Sequence, residues 1–589
     1  VTVFEVWAPD HDRVELVLDD RRVAMAPVDP RGVSTGPREG WWRAEVDDAG
    51  PGTLYRYSLD GGPQRPDPRS RWQPDGIDGP SAVVDHAAFA WSDSGWKGAR
   101  LASSVLYELH VGTWSPEGTF DGAVGHLDHL VELGVDAIEI LPVAEFGGDR
   151  GWGYDGVLLW APHHAYGGPD GLKRLVDAAH ARGIAVVLDV VYNHLGPAGN
   201  YLGEYGPYFT DRYATPWGSA VNVDGAGSDE VRRFIIDNAC AWLDDYHVDG
   251  LRLDAVHAII DQSALHLLEE MADTVAALSD RLGRTKWLIA ESDRNDPRLV
   301  ASTEAGGWGL DATWSDDFHH ALHSALSGDR DGYYVDYGSL ALLARTLRHV
   351  YAYGRDWSPF RHRHHGRPAG DLPGTRFLGY AQNHDQVGNR AVGERLAALV
   401  STGRLKIAAA LVLTSPFVPM LFQGEEWGAS TPWLYFTDHR DVELGHAVSD
   451  GRRQEFSAFG WAPEDVPDPQ DAESWRRSIL DWDEAGTGVH AELLEWHRTL
   501  IDLRRTHPVL SDGRRETITV DSSDEEQWLR MDRGALTVIC NLAAETQALQ
   551  IGGADLLAGS EVGVGVEPDG VVVLPPDSVA VVSRTPRPA

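Results

Sequence analysis

Four short segments place titratable side chains at the ends of apolar, strand-like runs: Asp189-Val190-Val191-Tyr192-Asn193-His194, Gly250-Leu251-Arg252-Leu253-Asp254, Leu288-Ile289-Ala290-Glu291 and Asn383-His384-Asp385. An Asp after one strand is most often a turn or a cap. Four such segments in this order have a different meaning, because carboxyl groups delivered from separate strand ends suit the breaking of a glycosidic bond with retention. One carboxylate attacks C1, and a neutral carboxylic acid about 5–5.5 Å away protonates the leaving oxygen. Arg252 stands two residues before Asp254 and so points to the same face, where its fixed positive charge offers Asp254 a partner. Glu291 needs the opposite surroundings, burial or a neighbouring negative charge, to raise its pKa.

Such groups must be held by elements that bring strand ends together. The first ~90 residues read as short strands at the two-residue period, among them Val3–Trp7 and Val14–Leu18, followed by a Pro/Gly/Arg-rich linker from Arg65 to Pro80. From about Leu101 strands alternate with helices: strands at Val105–His110, Val135–Leu141, Ala185–Val191, Gly250–Asp254 and Trp287–Glu291, and helices at Gly122–Leu133, Pro169–Arg182 and, capped by Ser228, on to Tyr246. The last ~75 residues return to β-rich runs such as Val571–Leu574. The expected division is an N-terminal β-sandwich over 1–92, a (β/α)₈ barrel with loop insertions over 93–512 and a C-terminal β-sandwich over 513–589. The preference for a barrel over an open sheet rests on the four segments, since in a barrel the C-terminal strand ends converge on one mouth.

Composition narrows the partners. The 589 residues carry 90 acidic against 51 basic side chains, a net charge of −39, which repels nucleic acid and anionic membranes and favours a neutral ligand. Two cysteines, Cys240 and Cys540, give no disulfide framework. No basic stretch leading into an apolar run opens the chain and no run approaches ~18 apolar residues, so a cytoplasmic location and no membrane contact are expected. The 22 tryptophans suit stacking on sugar C–H faces as well as core packing. The basic run Arg361-His362-Arg363-His364-His365 reads as a solvated loop beside the mouth rather than a metal or phosphate site.

In this order the four segments resemble the signature regions of the α-amylase family of glycoside hydrolases, and the resemblance extends over essentially the whole chain. It implies that Asp254 is the nucleophile, Glu291 the acid/base and Asp385 a third carboxylate that binds sugar hydroxyls. It also implies that His194 and His384 hydrogen-bond the sugar next to the cut and that Tyr154, in Gly151-Trp152-Gly153-Tyr154-Asp155, stacks beneath it. Asn193 stands where some relatives ligate calcium, but the several oxygen ligands of a cation site cannot be assembled from the sequence, so no metal and no cofactor are expected.

Within the family, residues 66–70, 290–296, 309–320, 382–390 and 435–439 resemble members that act on maltooligosyltrehalose, cutting the α-1,4 bond beside its terminal trehalose. Trehalose is kinked at its 1,1-linkage, and telling it from a continuing glucan needs hydrogen bonds that only the kinked disaccharide satisfies. Asp316, Asp317, His319, Gln386 and Asn389 are the candidates, with His257 beside them and Trp217 as a stacking platform. The alternative for Asp316, Asp317 and His319 is an N-capped surface helix. A substrate capped by trehalose also implies functional pairing with a trehalose-forming synthase. Glycogen-branching enzymes share the barrel and its carboxylates but typically carry Glu-Val where this chain has Gln386-Val387. A sugar-binding protein on an inactive barrel would lack a carboxylate, and all three are present.

Overall fold

The computed structural model describes residues 1–19, 21–28, 39–457 and 461–584. Near the N-terminus two antiparallel sheets face each other. One pairs Thr2–Trp7 with Trp41–Val46, and the other builds on Val14–Leu18 and Leu54–Leu59. Alternate residues of these strands, Phe4, Val6, Leu16 and Tyr57, are buried between the sheets.

Eight parallel strands then close into a barrel: β1 (Leu106–Leu109), β2 (Ala137–Ile140), β3 (Ala185–Val190), β4 (Gly250–Leu253), β5 (Trp287–Ala290), β6 (Ala312–Trp314), β7 (Phe377–Gly379) and β8 (Val418–Phe422). β8 pairs back onto β1 through Met420↔Leu106. Leu106, Ala137, Ala185, Val187, Ile289, Ala312, Leu378 and Met420 form one buried apolar cluster. Two residues further along four of these strands stand Glu108, Glu139, Asp189 and Glu291. With side chains alternating along a strand, the barrel interior changes from an apolar floor to an acidic top.

The strands agree with the sequence reading to within a residue or two at each end, but two helices differ. Gly122–Leu133 is two helices, Phe120–Val124 and Leu127–Leu133. Ser228 does not cap its helix: Gly227, left-handed at φ 76°, occupies the N-cap and Ser228 is the first helical residue. Glycine takes that conformation without steric cost.

The linker packs on the barrel, with Arg65 on Glu204, Arg69 on Asp237 and Arg71 on Asp245 at 2.8–2.9 Å. Further along, Asp93 meets a buried cluster at the start of the barrel. His180 Nδ1 donates to Asp93 Oδ2 at 2.9 Å and its Nε2 donates to Asp249 Oδ2 at 2.8 Å. Trp96 stacks on the same imidazole and donates to Asp249.

After the barrel, five strands from Ile518 to Arg584 form one sheet and three shorter ones a second, which makes the C-terminal sandwich. Among the described residues no helix is long and apolar enough to cross a membrane. Cys240 and Cys540 are both free.

Candidate active site

A cleft of about 400 Å³ opens at the C-terminal ends of the strands. Tyr154, His194, Trp217, Arg252, Asp254, His257, Glu291, His384 and Asp385 line it together with Trp152, Asp155 and Tyr435. Residues remote in sequence meet here because parallel strands in register deliver them: Leu253 lies opposite Val190 on one side and Ala290 on the other.

Arg252 is the electrostatic centre. Its guanidinium is buried and donates from Nη1 to both oxygens of Asp189 at 2.9 Å and to Asp254 Oδ1 at 2.7 Å, while Nη2 lies 3.7 Å from Glu291 Oε2. It also sits 4.3 Å from the Trp314 ring centroid. Asn193 donates from Nδ2 to Asp254 Oδ2 at 3.1 Å and accepts from His194 Nδ1 at 2.8 Å, so the amide is committed on both sides. One positive charge thus serves several carboxyl groups.

Glu291 is the group that this arrangement leaves least compensated. Burial holds its pKa well above the ordinary carboxylate range. Arg252 pulls it down, and Asp254, Asp316 and Asp385 push it up. Its Oε2 accepts from the backbone N–H of Ala255 at 2.6 Å. Ala255 has φ 37°, a left-handed backbone that costs a non-glycine residue about 1–2 kcal/mol.

Across the cleft, Glu108 of β1 accepts from the His384 backbone N–H at 2.9 Å and from His384 Nδ1 at 2.5 Å. The Tyr154 hydroxyl donates to Asp189 Oδ2 at 2.5 Å and lies 2.8 Å from His384 Nε2. A hydroxyl has one proton to give, so with Asp189 ionised it is His384 Nε2 that donates to the tyrosine oxygen. With Nδ1 facing Glu108 as well, both ring nitrogens of His384 have acceptors, which favours its protonated form. Burial alone would lower its pKa, but Glu108 outweighs burial and the net shift is upward. Asp189, pushed up by burial despite Arg252, has a pKa of about 6.

His194 stacks on Trp217, rings 4.7 Å apart at 10°, and Trp217 is 47% exposed on the rim. Asp385 is solvent-exposed and accepts from Asn389 Nδ2 at 2.7 Å. Asp316 stands behind this rim and accepts from the Tyr380 hydroxyl; burial raises its pKa to about 7. Gln386 is 9% exposed, and its Oε1 has no hydrogen-bond partner among the described residues.

Two sequence candidates are corrected. Asp317 is buried and its oxygens are consumed internally by Asn295 Nδ2 at 2.7 Å, the Ala352 N–H at 2.7 Å, the Tyr353 N–H and the Tyr337 hydroxyl. His319 is 1% exposed and bridges the Ala381 carbonyl and the Tyr334 hydroxyl. Neither faces the cleft, because the helix Asp316–Ser327 is covered on most sides and not only on one. The surface-helix alternative fails for the same reason. The basic run is also only partly solvated: Arg361 binds Asp293 at 3.0 Å and His365 is buried against the Asp293 carbonyl, while His362, Arg363 and His364 are exposed.

Sequence reasoning gave no role to Glu108, Asp155 or Asp189. For Glu108 and Asp189 the signal was a charge inside an otherwise apolar strand, at the alternate position that faces the barrel interior.

The family model for the α-amylase catalytic domain matches residues 82–212, and a domain of unknown function (DUF3459) matches 513–581. The malto-oligosyltrehalose trehalohydrolase of Arthrobacter ramosus is 51% identical over 95% of this chain and 96% of its own. A 1,4-alpha-glucan branching enzyme of Corynebacterium jeikeium is 28% identical over 73% of this chain and 61% of its own. A Salmonella typhimurium crystal structure assigned to the α-amylases superposes with a TM-score of 0.90 at 38% identity, covering 99% of this chain and 97% of its own. The carboxylates around Arg252 therefore sit on an α-amylase-type barrel, and the chain belongs to the malto-oligosyltrehalose trehalohydrolase family.

Proposed function

We propose that the protein hydrolyses the α-1,4-glucosidic bond next to the terminal trehalose of maltooligosyltrehalose, with retention, releasing trehalose and a maltooligosaccharide. The observation that carries the reading is that Asp254 and Glu291, at adjacent strand ends, share one guanidinium yet differ in surroundings: Asp254 is hydrogen-bonded by Arg252 and Asn193, whereas Glu291 is buried among acids. That is how one site keeps an attacking carboxylate and a proton-bearing acid side by side.

Asp254 attacks C1 of the glucosyl unit while Glu291 passes its proton to the glycosidic oxygen, and trehalose leaves. Glu291, now ionised, takes a proton from water as that water attacks C1 and breaks the bond to Asp254. Asp385, with Asn389, engages sugar hydroxyls; His194 hydrogen-bonds the glucosyl unit, and Tyr154, held by His384, packs beneath it. Trp217, His257, Asp316, Gln386 and Asn389 are assigned to recognition of the kinked disaccharide. A cytoplasmic location and a functional pairing with a trehalose-forming synthase belong to the same proposal. They are supported by the two free cysteines and by a substrate whose trehalose end another enzyme must make.

Product analysis on a trehalose-capped maltopentaose tests it. Free trehalose is expected, with kcat/KM well above that for an uncapped chain of equal length. Equal rates on both would make the protein a general amylase, and new α-1,6 linkages from a linear glucan would make it a branching enzyme.

A further inference from the structure

Away from the catalytic cleft, Ala144–Glu145 pairs with Leu158–Pro162 in a two-stranded ladder. The chain between them, residues 146–157, carries Trp152, Tyr154 and Asp155 to the cleft. Whatever fixes the base of this loop therefore fixes the Tyr154 hydroxyl against Asp189 and His384.

Three side chains converge at that base. Glu145 Oε1 lies 2.7 Å from His164 Nδ1 and 3.2 Å from His163 Nδ1, and the three ligand atoms are all within 4.8 Å of one another. Glu145 and His163 side chains are fully buried, and His164 is 18% exposed. We propose that Glu145, His163 and His164 form a binding site for a divalent metal of the zinc type.

Two imidazole nitrogens and one carboxylate oxygen suit a borderline-soft cation rather than calcium or magnesium, which take oxygen donors. Hydrogen bonding alone leaves the group unsatisfied. Neither ring nitrogen of His163 completes a hydrogen bond, although its Nδ1 faces Glu145 and stacking on Phe146 at 3.8 Å holds the ring in place. A cation bound between the three would engage that nitrogen.

The outer contacts match a metal site as well. His164 presents Nδ1 to the cluster and turns Nε2 to Asp149 Oδ1 at 3.1 Å, while Glu145 Oε2 accepts from the His164 backbone N–H at 2.8 Å. A carboxylate behind a ligating histidine and a hydrogen bond behind a ligating carboxylate fix ligand orientation in metal sites. Three protein ligands leave a fourth position for water. This site departs from the expectation that the protein needs no metal, which considered only oxygen ligands near Asn193. Its place at the loop base makes the ion a rivet for the tyrosine loop and gives it no part in the reaction.

The test uses the full chain, treated with EDTA and titrated with Co²⁺, then Zn²⁺. One equivalent of Co²⁺ is expected to give the visible absorption of a tetrahedral centre, to raise Tm and to be displaced by Zn²⁺. His164→Gln should lose the band and weaken binding by about tenfold or more. His364→Ala, in the exposed basic run, should leave both unchanged. Should His164→Gln fail to fold, Glu145→Gln keeps the shape, removes the charge and gives the same comparison. Absence of the tetrahedral band in the unaltered protein, or uptake that the loss of His164 or Glu145 does not reduce, would overturn the proposal.

Discussion

The backbone N–H of Ala255 donates to Oε2 of Glu291 at 2.6 Å, tying the residue after Asp254 to the carboxyl group of the neighbouring strand. Such a bond favours the ionised form, so the upward shift of Glu291 is the work of burial and of the acids around it. Asp316 is one of them. Its negative charge disfavours a second negative charge on Glu291, so removing it lowers the Glu291 pKa. The proposed reaction needs Glu291 protonated, and the alkaline limb of kcat/KM should move to lower pH in Asp316→Asn. A pH–rate profile showing no movement, or movement to higher pH, would contradict the acid role of Glu291.

Asp254→Ala and Glu291→Gln are each expected to lower kcat by about 10³-fold or more with Tm little changed. Asp385→Asn should lose kcat far more than ground-state affinity, since its contacts strengthen in the transition state. Steady-state kinetics beside thermal melts separate these outcomes, and a variant retaining a few per cent of activity would lose its assigned role.

The corrected position of Asp317 has a consequence for stability. Replacing it by Ala strands the Asn295 amide and the Ala352 N–H, each at about 1–3 kcal/mol. Asp317→Ala should therefore lower Tm by several degrees while the trehalose-capped and uncapped substrates keep their ratio of kcat/KM. A changed ratio with unchanged Tm would restore Asp317 to recognition.

His180 makes stability depend on pH. Burial alone would lower its pKa, but Asp249 and Asp93 outweigh burial and raise it. A group whose pKa is higher in the folded state than unfolded contributes fully below its unfolded value, near 6.5, and loses the contribution as pH climbs through the folded value. The gap in Tm between the unaltered protein and His180→Gln should be widest on the acidic side of neutrality and shrink in alkali. A gap that widens with pH would show that His180 is neutral in the folded protein.

The strands were legible because their ends carry charge and their interiors do not, as at Leu251-Arg252-Leu253-Asp254, and because two-residue spacing places Arg252 beside Asp254. The helix after β6 was not. Asp316, Asp317 and His319 share a short polar stretch, and only the Tyr334 and Tyr337 hydroxyls and the backbone N–H groups of Ala352 and Tyr353 decide which of them turns inward. Glu108 escaped notice because its partner, His384, lies 276 residues away. No local pattern encodes that distance. Ser228 looked like a cap because its residue type is right, but a left-handed glycine does the turning instead.

Glu108, His384, Tyr154, Asp189, Arg252 and Asp254 form an unbroken chain of proton donors and acceptors that crosses the barrel mouth from β1 to β4. Members of such a chain polarise one another. Substitutions along it will therefore not behave independently: once one link is cut, cutting a second should cost less than it does in the intact protein. An engineer who wants to reshape this mouth has to treat the six side chains as one unit.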